Sequence, residues 1–376
     1  MNSAPEFLTT AQAEGTTRLA PSPRLREIAL AAVAEVCGGG ADADTCQEAA
    51  LLRQILGVVT ADGRTVRAAL LGSLHRPASE DLRLLQLGRE LALSPIEVLA
   101  IALAAAVEDD ALDGRVLAHV QAPVGGSRPT LGLMSRAFAT VIDGDAAALP
   151  TLLNGAAVNS GLLVVLNETA PLPERPVMIP LPLCFALAGH DGPWPGARIG
   201  LDGAPPVPLP DSVRAEAQRH AGALGAEAHR ALVLRSGSPA EGRSVAAEIA
   251  EALKRRPLFI ETDKTAGLGP WLLLRRLLPV FCVEQSPGER RTIPVLPGYR
   301  GPVLAVCGPD GAIETAQGTA ASWIVPVPSR AERATLWRDA IRHPPLAERL
   351  AREHRHGAGR IAHLGRLAQH RAALTR

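Results

Sequence analysis

Residues 231–253, ALVLRSGSPAEGRSVAAEIAEAL, restrict the fold more than any other stretch of the chain. A short apolar run, Ala231–Leu234, reads as a buried strand. It ends in Gly237-Ser238-Pro239-Ala240-Glu241-Gly242-Arg243-Ser244, and an amphipathic helical pattern follows. Strand, glycine loop and helix is the context in which backbone N–H groups and a helix N-terminus cradle phosphate. The spacing matches G-x-x-x-x-G-K-S/T except at the lysine, where Arg243 stands. Arginine keeps the charge but is planar, forked and bulkier, so the exchange is not conservative at an enclosed site. Ser244 is the candidate hydroxyl for Mg²⁺, and Glu241 brings a carboxylate close to where phosphate charge would sit. Two readings therefore stand side by side: a nucleotide loop, or an αβ turn that keeps the shape without the use.

A 376-residue chain is expected to form two or three domains. Leu, Val and Ala are ample for a core. The net charge of +1 gives no global field toward nucleic acid or acidic lipid. The five cysteines, Cys37, Cys46, Cys184, Cys282 and Cys307, form no CxxC pair and read as buried thiols in a reducing cytosol. No apolar run reaches the ~18 residues of a membrane span, and no signal peptide is visible.

Met1 to about Pro23 is polar and aperiodic and is expected to be disordered. Helices are expected over 24–36, stopped by Gly38-Gly39-Gly40, and over 45–59 and 65–75, giving an N-terminal helical region at 24–76. Ser79 is the expected cap of a helix to Leu91. Ser94-Pro95-Ile96-Glu97 is a capping box with proline at the first helical position, opening a very apolar helix over 95–107. Helices at 112–121 and 130–142 follow. Leu162–Leu166 and Val177–Pro182, separated by a proline-rich turn, read as a two-stranded wing. Residues 79–189 are thus expected to be winged-helix-like. None of these helices carries a Lys/Arg cluster, so a protein-binding wing is favoured over DNA.

A Gly/Pro-rich linker is expected at 190–210 and a helix over 211–224 capped by Asp211. The strands expected after it are Ala231–Arg235, Leu258–Glu261, Val280–Glu284, Val303–Cys307 and Trp323–Val327. Such runs, alternating with helices, predict a five-stranded parallel sheet covered on both faces. Ligands of such sheets sit outside the carboxyl ends of the strands. That places the 237–244 loop, Glu261, Glu284 and Cys307 on one edge. Helices at 329–341 and within 344–374 complete the chain. The last is rich in Arg and His, which reads as a solvated face or a partner surface.

The order of strand, loop, helix, four more strands and a small helical lid resembles an AAA+ module. AASWIVPVPSRAERATLW, residues 320–337, resembles the final core strand and the P-x-x-x-x-R-x-x-L-W start of the lid, and Gly357-Ala358-Gly359-Arg360-Ile361 resembles the start of its last helix. LALSPIEVLAIALAAAVEDDALDGRVLAHVQ, from 91 onward, resembles a segment that precedes the first AAA+ module in the ATPases of extracellular contractile injection (phage-tail-like) systems. The resemblance covers roughly 79–376. It implies an α/β fold: a P-loop core at 211–328 and a lid at 329–376, preceded by a winged-helix-like and helical region. It also implies ATP and Mg²⁺ as ligands, held by Gly237, Ser238, Pro239, Ala240, Glu241, Gly242, Arg243 and Ser244, with Glu284 as a weak second metal contact.

Departures from the active pattern accumulate. The Walker B position reads Glu284-Gln285, and Gln285 cannot act as a base. Cys307-Gly308 stands where a polar sensor is usual. No arginine lies between the fourth strand and Trp323, and Ala362 falls where the second sensor arginine would be. Phosphoryl transfer depends on several charges around the γ-phosphate, and an arginine finger alone is worth ~10³–10⁵ in rate. The implied function is therefore a degenerate AAA+ module acting in the cytoplasm as an assembly, adaptor or nucleotide-sensing protein, with protein partners and possible oligomers. A slow ATPase and a winged-helix DNA-binding regulator are the alternatives. No second module follows Arg376, so the chain is expected to be either part of a longer protein or a stand-alone partner.

Overall fold

The computed structural model describes residues 22–37, 46–123, 125–142, 148–201, 206–226, 231–316 and 318–374. The expected disorder of Met1–Pro23 and the stop at Gly38-Gly39-Gly40 fall almost wholly outside these residues.

The first half is helical: α1 (Leu25–Cys37), α2 (Gln47–Val59), α3 (Val66–His75), α4 (Leu82–Leu91), α5 (Pro95–Asp109), α6 (Ala111–Val120), α7 (Leu131–Ala139), α8 (Ala148–Asn154) and α9 (Ala156–Asn159). Ser79 does not cap α4; it opens a separate 3-10 turn, Ser79–Asp81. Both halves of the capping box before α5 form. The wing strands β1 (Val164–Val165) and β2 (Val177–Met178) pair antiparallel, and α10 (Leu181–Ala188) follows.

The 24–76 region is not a separate unit. Helix α1 is apolar on nearly every side, and Leu25, Ile28, Ala29, Leu30, Ala31, Ala32 and Val33 are all buried. A helix apolar all round must be covered all round. Its residues share one core with α5, α7 and one face of the sheet, through Val233, Leu258, Ile260, Phe281 and Ala305.

Among the described residues the sheet has six strands, not five. In chain order they are β3 (Ala197–Ile199), β4 (Ala231–Arg235), β5 (Arg256–Ile260), β6 (Leu277–Cys282), β8 (Val303–Cys307) and β11 (Ala321–Ile324), in the spatial order β11-β4-β8-β6-β5-β3. Five strands run parallel. β3 is an antiparallel edge on β5, with Ala197 opposite Ile260. It comes from the expected linker at 190–210, which is not a free linker: Val207 and Leu209, further along it, are buried. Helices α11 (Asp211–Gly225), α12 (Pro239–Ala252) and α13 (Leu268–Arg275) lie between strands. Asp211 is the first residue of α11 rather than its cap. A small second sheet was not foreseen; it joins β7 (Arg290–Thr292), β9 (Ala312–Thr315) and β10 (Gly318–Thr319). Its strands are two to four residues long, too short for an apolar run, and β7 is exposed throughout.

Because side chains alternate along a strand, the other sheet face builds a second core. Leu232, Leu234, Phe259, Val280, Leu304 and Val306 pack there with α11, α12 and the lid. The lid is α14 (Arg330–Ile341), α15 (Pro344–Glu353) and α16 (Ala358–Leu374). Ser329 and Glu332 form its opening capping box. Glu332 also accepts the Ser212 N–H at 3.2 Å, tying the lid to α11. Burial pushes the Glu332 carboxyl up, but the hydrogen bonds from Ser212 and Ser329 outweigh it and hold the group at about 2. A depressed carboxyl stabilises the fold above its unfolded value, and that contribution disappears as pH falls through the folded one. Wild type is therefore expected to lose stability relative to Glu332→Gln between about pH 4.5 and 2. Parallel acid titrations followed by circular dichroism check this, and superimposable curves would refute it.

Candidate functional site

β4 is a central strand with β11 on one side and β8 on the other. The crevice at its carboxyl end is where a sheet wound in both directions takes ligands. Arg235 ends the strand. Its Nε donates to Ser322 Oγ at 2.9 Å, and its Nη1 gathers the carbonyls of Gly308, Pro309 and Asp310 at 3.4–3.5 Å. It thereby fastens the turn after β8, where a polar sensor was looked for. Cys307 lies beneath it, buried, and burial pushes its thiol up. Among the five cysteines expected to be buried, Cys307 alone is; Cys37 is exposed and the others are half-buried.

The glycine loop is much shorter than its spacing suggests. Helix α12 begins at Pro239, so Ala240, Glu241, Gly242, Arg243 and Ser244 are already helical. Only Ser236, Gly237 and Ser238 connect strand to helix. Proline at a first helical position favours such an early start, and the Gly242 N–H is spent on the Ser238 carbonyl at 3.0 Å. A phosphate cradle needs those N–H groups in a curled loop. Here they sit in a helical turn.

Each remaining phosphate or metal contact is committed elsewhere. Glu241 is 6% exposed and its carboxyl accepts from Ser236 Oγ at 2.7 Å. Gly242 packs against β8: a Cβ there would lie 2.5 Å from Val306 Cγ1. Arg243 reaches Glu261 at 2.9 Å, with its guanidinium 5.9 Å from the Phe259 ring centre, and Glu261 is shared with Arg198 at 2.7 Å. Burial pushes the Cys282 thiol up, while the charge of Arg243 opposes the shift. Ser244 is buried, and its Oγ accepts the Val207 N–H at 3.0 Å. Glu284 lies exposed beyond β6 rather than in it. Gln285 is a loop tie whose Nε2 donates to the Ala312 carbonyl at 2.9 Å and the Glu289 carbonyl at 3.2 Å. Among the described residues no group of three or more His, Cys, Asp and Glu could hold a metal ion.

The lid closes what the loop leaves. A Cβ on Gly359 would lie 2.4 Å from Ser238 Oγ and 2.9 Å from Glu241 Cβ, and one on Gly357 would lie 3.3 Å from the Glu241 carboxyl. The first turn of α16 therefore rests on the first turn of α12. Ala362, at the expected second sensor position, packs into the core shared with α12. ATP and Mg²⁺ do not fit this arrangement. The space before α12 holds a carboxyl group and lid backbone, and the hydroxyl meant for the metal is engaged.

Of the groups expected on one edge, Arg243 of the loop and Glu261 do meet, whereas Cys307 lies against Arg235. Glu284 does not join them. Sequence reading noticed Glu241 but missed its partner Ser236, which precedes the motif. It also missed the Val207 contact, which comes from the segment taken as linker. No protein-family model, curated protein or solved structure matches the chain.

Proposed function

We propose that the chain is a non-catalytic assembly or adaptor module, built on an AAA+-like scaffold whose nucleotide site has been converted into a structural joint. The observation that supports this most is the buried Glu241–Ser236 pair under the lid, at the place a phosphate would need. A carboxylate there repels phosphate, and the buried side chain cannot be removed without opening the lid. Arg243, spent on Glu261, then ties α12 to the edge of the sheet rather than reaching for a ligand. The association with contractile injection particles rests on the sequence resemblance alone.

Equilibrium binding of a fluorescent ATP analogue with Mg²⁺ tests the reading. The expected result is no saturable binding up to about millimolar nucleotide, the weak end of the usual affinity range, and no difference between wild type and Arg243→Ala. Micromolar binding that Arg243→Ala weakens would overturn the structural joint and restore a nucleotide sensor.

A further inference from the structure

Two strand starts in this chain are written the same way. β5 is entered through Lys254-Arg255-Arg256 and β6 through Arg275-Arg276. Arg256 is the first residue of β5 and stands opposite Leu277, the first of β6, so the two basic runs lie side by side. β8 is the next strand, with Leu304 opposite Val280, and Arg300 comes shortly before it. Carried back past the strand starts, these registers bring 255, 276 and 300 to one level. The contacts agree, because Arg255 Nη1 donates to the Tyr299 hydroxyl at 2.9 Å. Neighbouring strands are ~4.8 Å apart, so the amino edge of the sheet carries a row of cations about 10 Å long.

A cleft of about 560 Å³ opens along this row, between the ends of α12 and α13. Arg275 is neutralised there: its Nη2 lies on the Asp191 carboxylate, and its Nη1 donates to the His190 carbonyl at 3.1 Å. Arg255 keeps its charge, since its partners are the Tyr299 hydroxyl and the Leu277 carbonyl. Lys254, Arg256, Arg276 and Arg300 are exposed, and their side chains make no hydrogen bond or ion pair among the described residues. Glu251 also lines the cleft, and Glu90 lines the hollow beside it together with Arg300. Six cations thus face three carboxylates, an excess of three. Asp202, outside the described residues, follows Leu201 of the cleft wall, and counting it too leaves two. Lys254 and Arg276 stand at helix exits with φ of 56° and 52°, where glycine is the ordinary residue. The carbonyl end of a helix favours a cation, which accounts for these two but not for Arg256 and Arg300.

Like charges crowded on one edge repel one another, and an anion between them relieves that repulsion. We propose that this edge binds the phosphate backbone of duplex nucleic acid, without regard to sequence. A row of cations fits a repeating anion: a strand of B-DNA sets a phosphate every ~3.4 Å of axis, and the arginine fork takes phosphate through two parallel bonds. A protein partner or a membrane surface would ask for apolar contact, and no large exposed apolar side chain lines the cleft. The bases of a single strand need an aromatic face to stack on. The rings beside the row, Trp271 and Tyr299, are 1% and 5% exposed. The backbone of a duplex asks for neither. This inference goes beyond the reading of the chain as an assembly module and does not depend on it. Arg243 and the joint under the lid lie at the carboxyl ends of the strands, so the nucleotide experiment and the one below fail separately.

Fluorescence anisotropy of a short labelled DNA duplex, titrated with the full chain from about 50 to 200 mM salt, tests the proposal. Wild type is expected to bind two unrelated sequences equally. Its log K should fall against log salt with a slope between about −2.7 and −3.6, for three or four phosphates. Arg256→Gln and Arg276→Gln are each expected to weaken binding about tenfold at low salt and to make the slope shallower by about 0.9. Both side chains are exposed and unpaired, so folding is retained. Arg355→Gln/Arg366→Gln removes two exposed cations of the lid and is the control, expected to keep the affinity and slope of wild type. No binding by wild type at about 100 μM and low salt, where charges are least screened, overturns the proposal. Edge variants that bind as wild type does, or a loss seen in the lid variant instead, also overturn it. Phosphatidylserine vesicles offer phosphate from another source. Binding to them that Arg256→Gln weakens, with none to the duplex, overturns the proposal and assigns the edge to anionic lipid.

Discussion

Replacing Gly242 with valine is expected to destabilise the protein by about 2–4 kcal/mol in the complete absence of nucleotide, by overpacking a filled core. In a phosphate loop this glycine gives the backbone room to approach a ligand, and its loss would appear first in affinity. Here it lies inside α12, and a Cβ would stand 2.5 Å from Val306 Cγ1. Val306 cannot swing aside, because β8 is bounded by β4 and β6 and the residue is 4% exposed. Valine adds two methyl groups to that contact and is stiff in a helix. Gly237 is the control. Nothing lies within 4 Å of its Cβ position, and it does not adopt a positive φ. Gly237→Ala is therefore expected to stay within about 0.5 kcal/mol of wild type. Two glycines of equal standing in the motif then differ several-fold in cost. Urea unfolding of both variants reads this as separate midpoints at a common slope. Equal, small shifts would mean that α12 is not packed on β8 as described.

The contrast between these glycines shows how far the sequence could be read. The strand, the turn and the amphipathic helix were legible because each has a local signature: an apolar run, glycine and proline, and a 3.6-residue period. Five parallel strands followed from the same signals. What the loop does was not legible, because it depends on where the helix begins. Pro239 is compatible with a loop residue and with a first helical residue, and only the second lets Glu241 turn inward to Ser236. The sixth strand was hidden for another reason. Ala197–Ile199 has three residues and no apolar run, and it pairs only because β5 offers a free edge. Likewise Val207 reaches Ser244 across 37 residues of sequence, a contact no local pattern announces. The N-terminal helices were correctly placed, but they were taken as a separate region because nothing in their spacing says which core they share.

Where a side chain has its partners nearby, sequence reading reaches as far as energetics, and Glu97 gives the other large expected effect. The capping box predicted at Ser94-Pro95-Ile96-Glu97 forms, with Glu97 Oε2 accepting both the Ser94 N–H and the Ser94 Oγ at 2.8 Å. Its other oxygen goes where the box does not predict. Oε1 accepts the Ala157 N–H at 2.8 Å, across 60 residues, and so pins α9 to the start of α5. Glu97 is 3% exposed, so these donors have no water to turn to. Truncation to alanine strips two backbone N–H groups of their acceptor, each worth about 1–3 kcal/mol when left buried and unmet. The expected cost of Glu97→Ala is accordingly about 3 kcal/mol or more, larger than the ~1 kcal/mol of an ordinary helix cap. Glu97→Gln separates the two roles. Its amide keeps one accepting oxygen and turns a donor toward the other site, where an N–H already points. It can therefore serve Ser94 or Ala157 but not both, and its cost is expected to fall between wild type and alanine. Hydrogen exchange of the Ser94 and Ala157 amides, measured beside urea midpoints, checks the assignment. Glu97→Ala should release both amides, and protection retained at Ala157 would mean that α9 is held by packing alone.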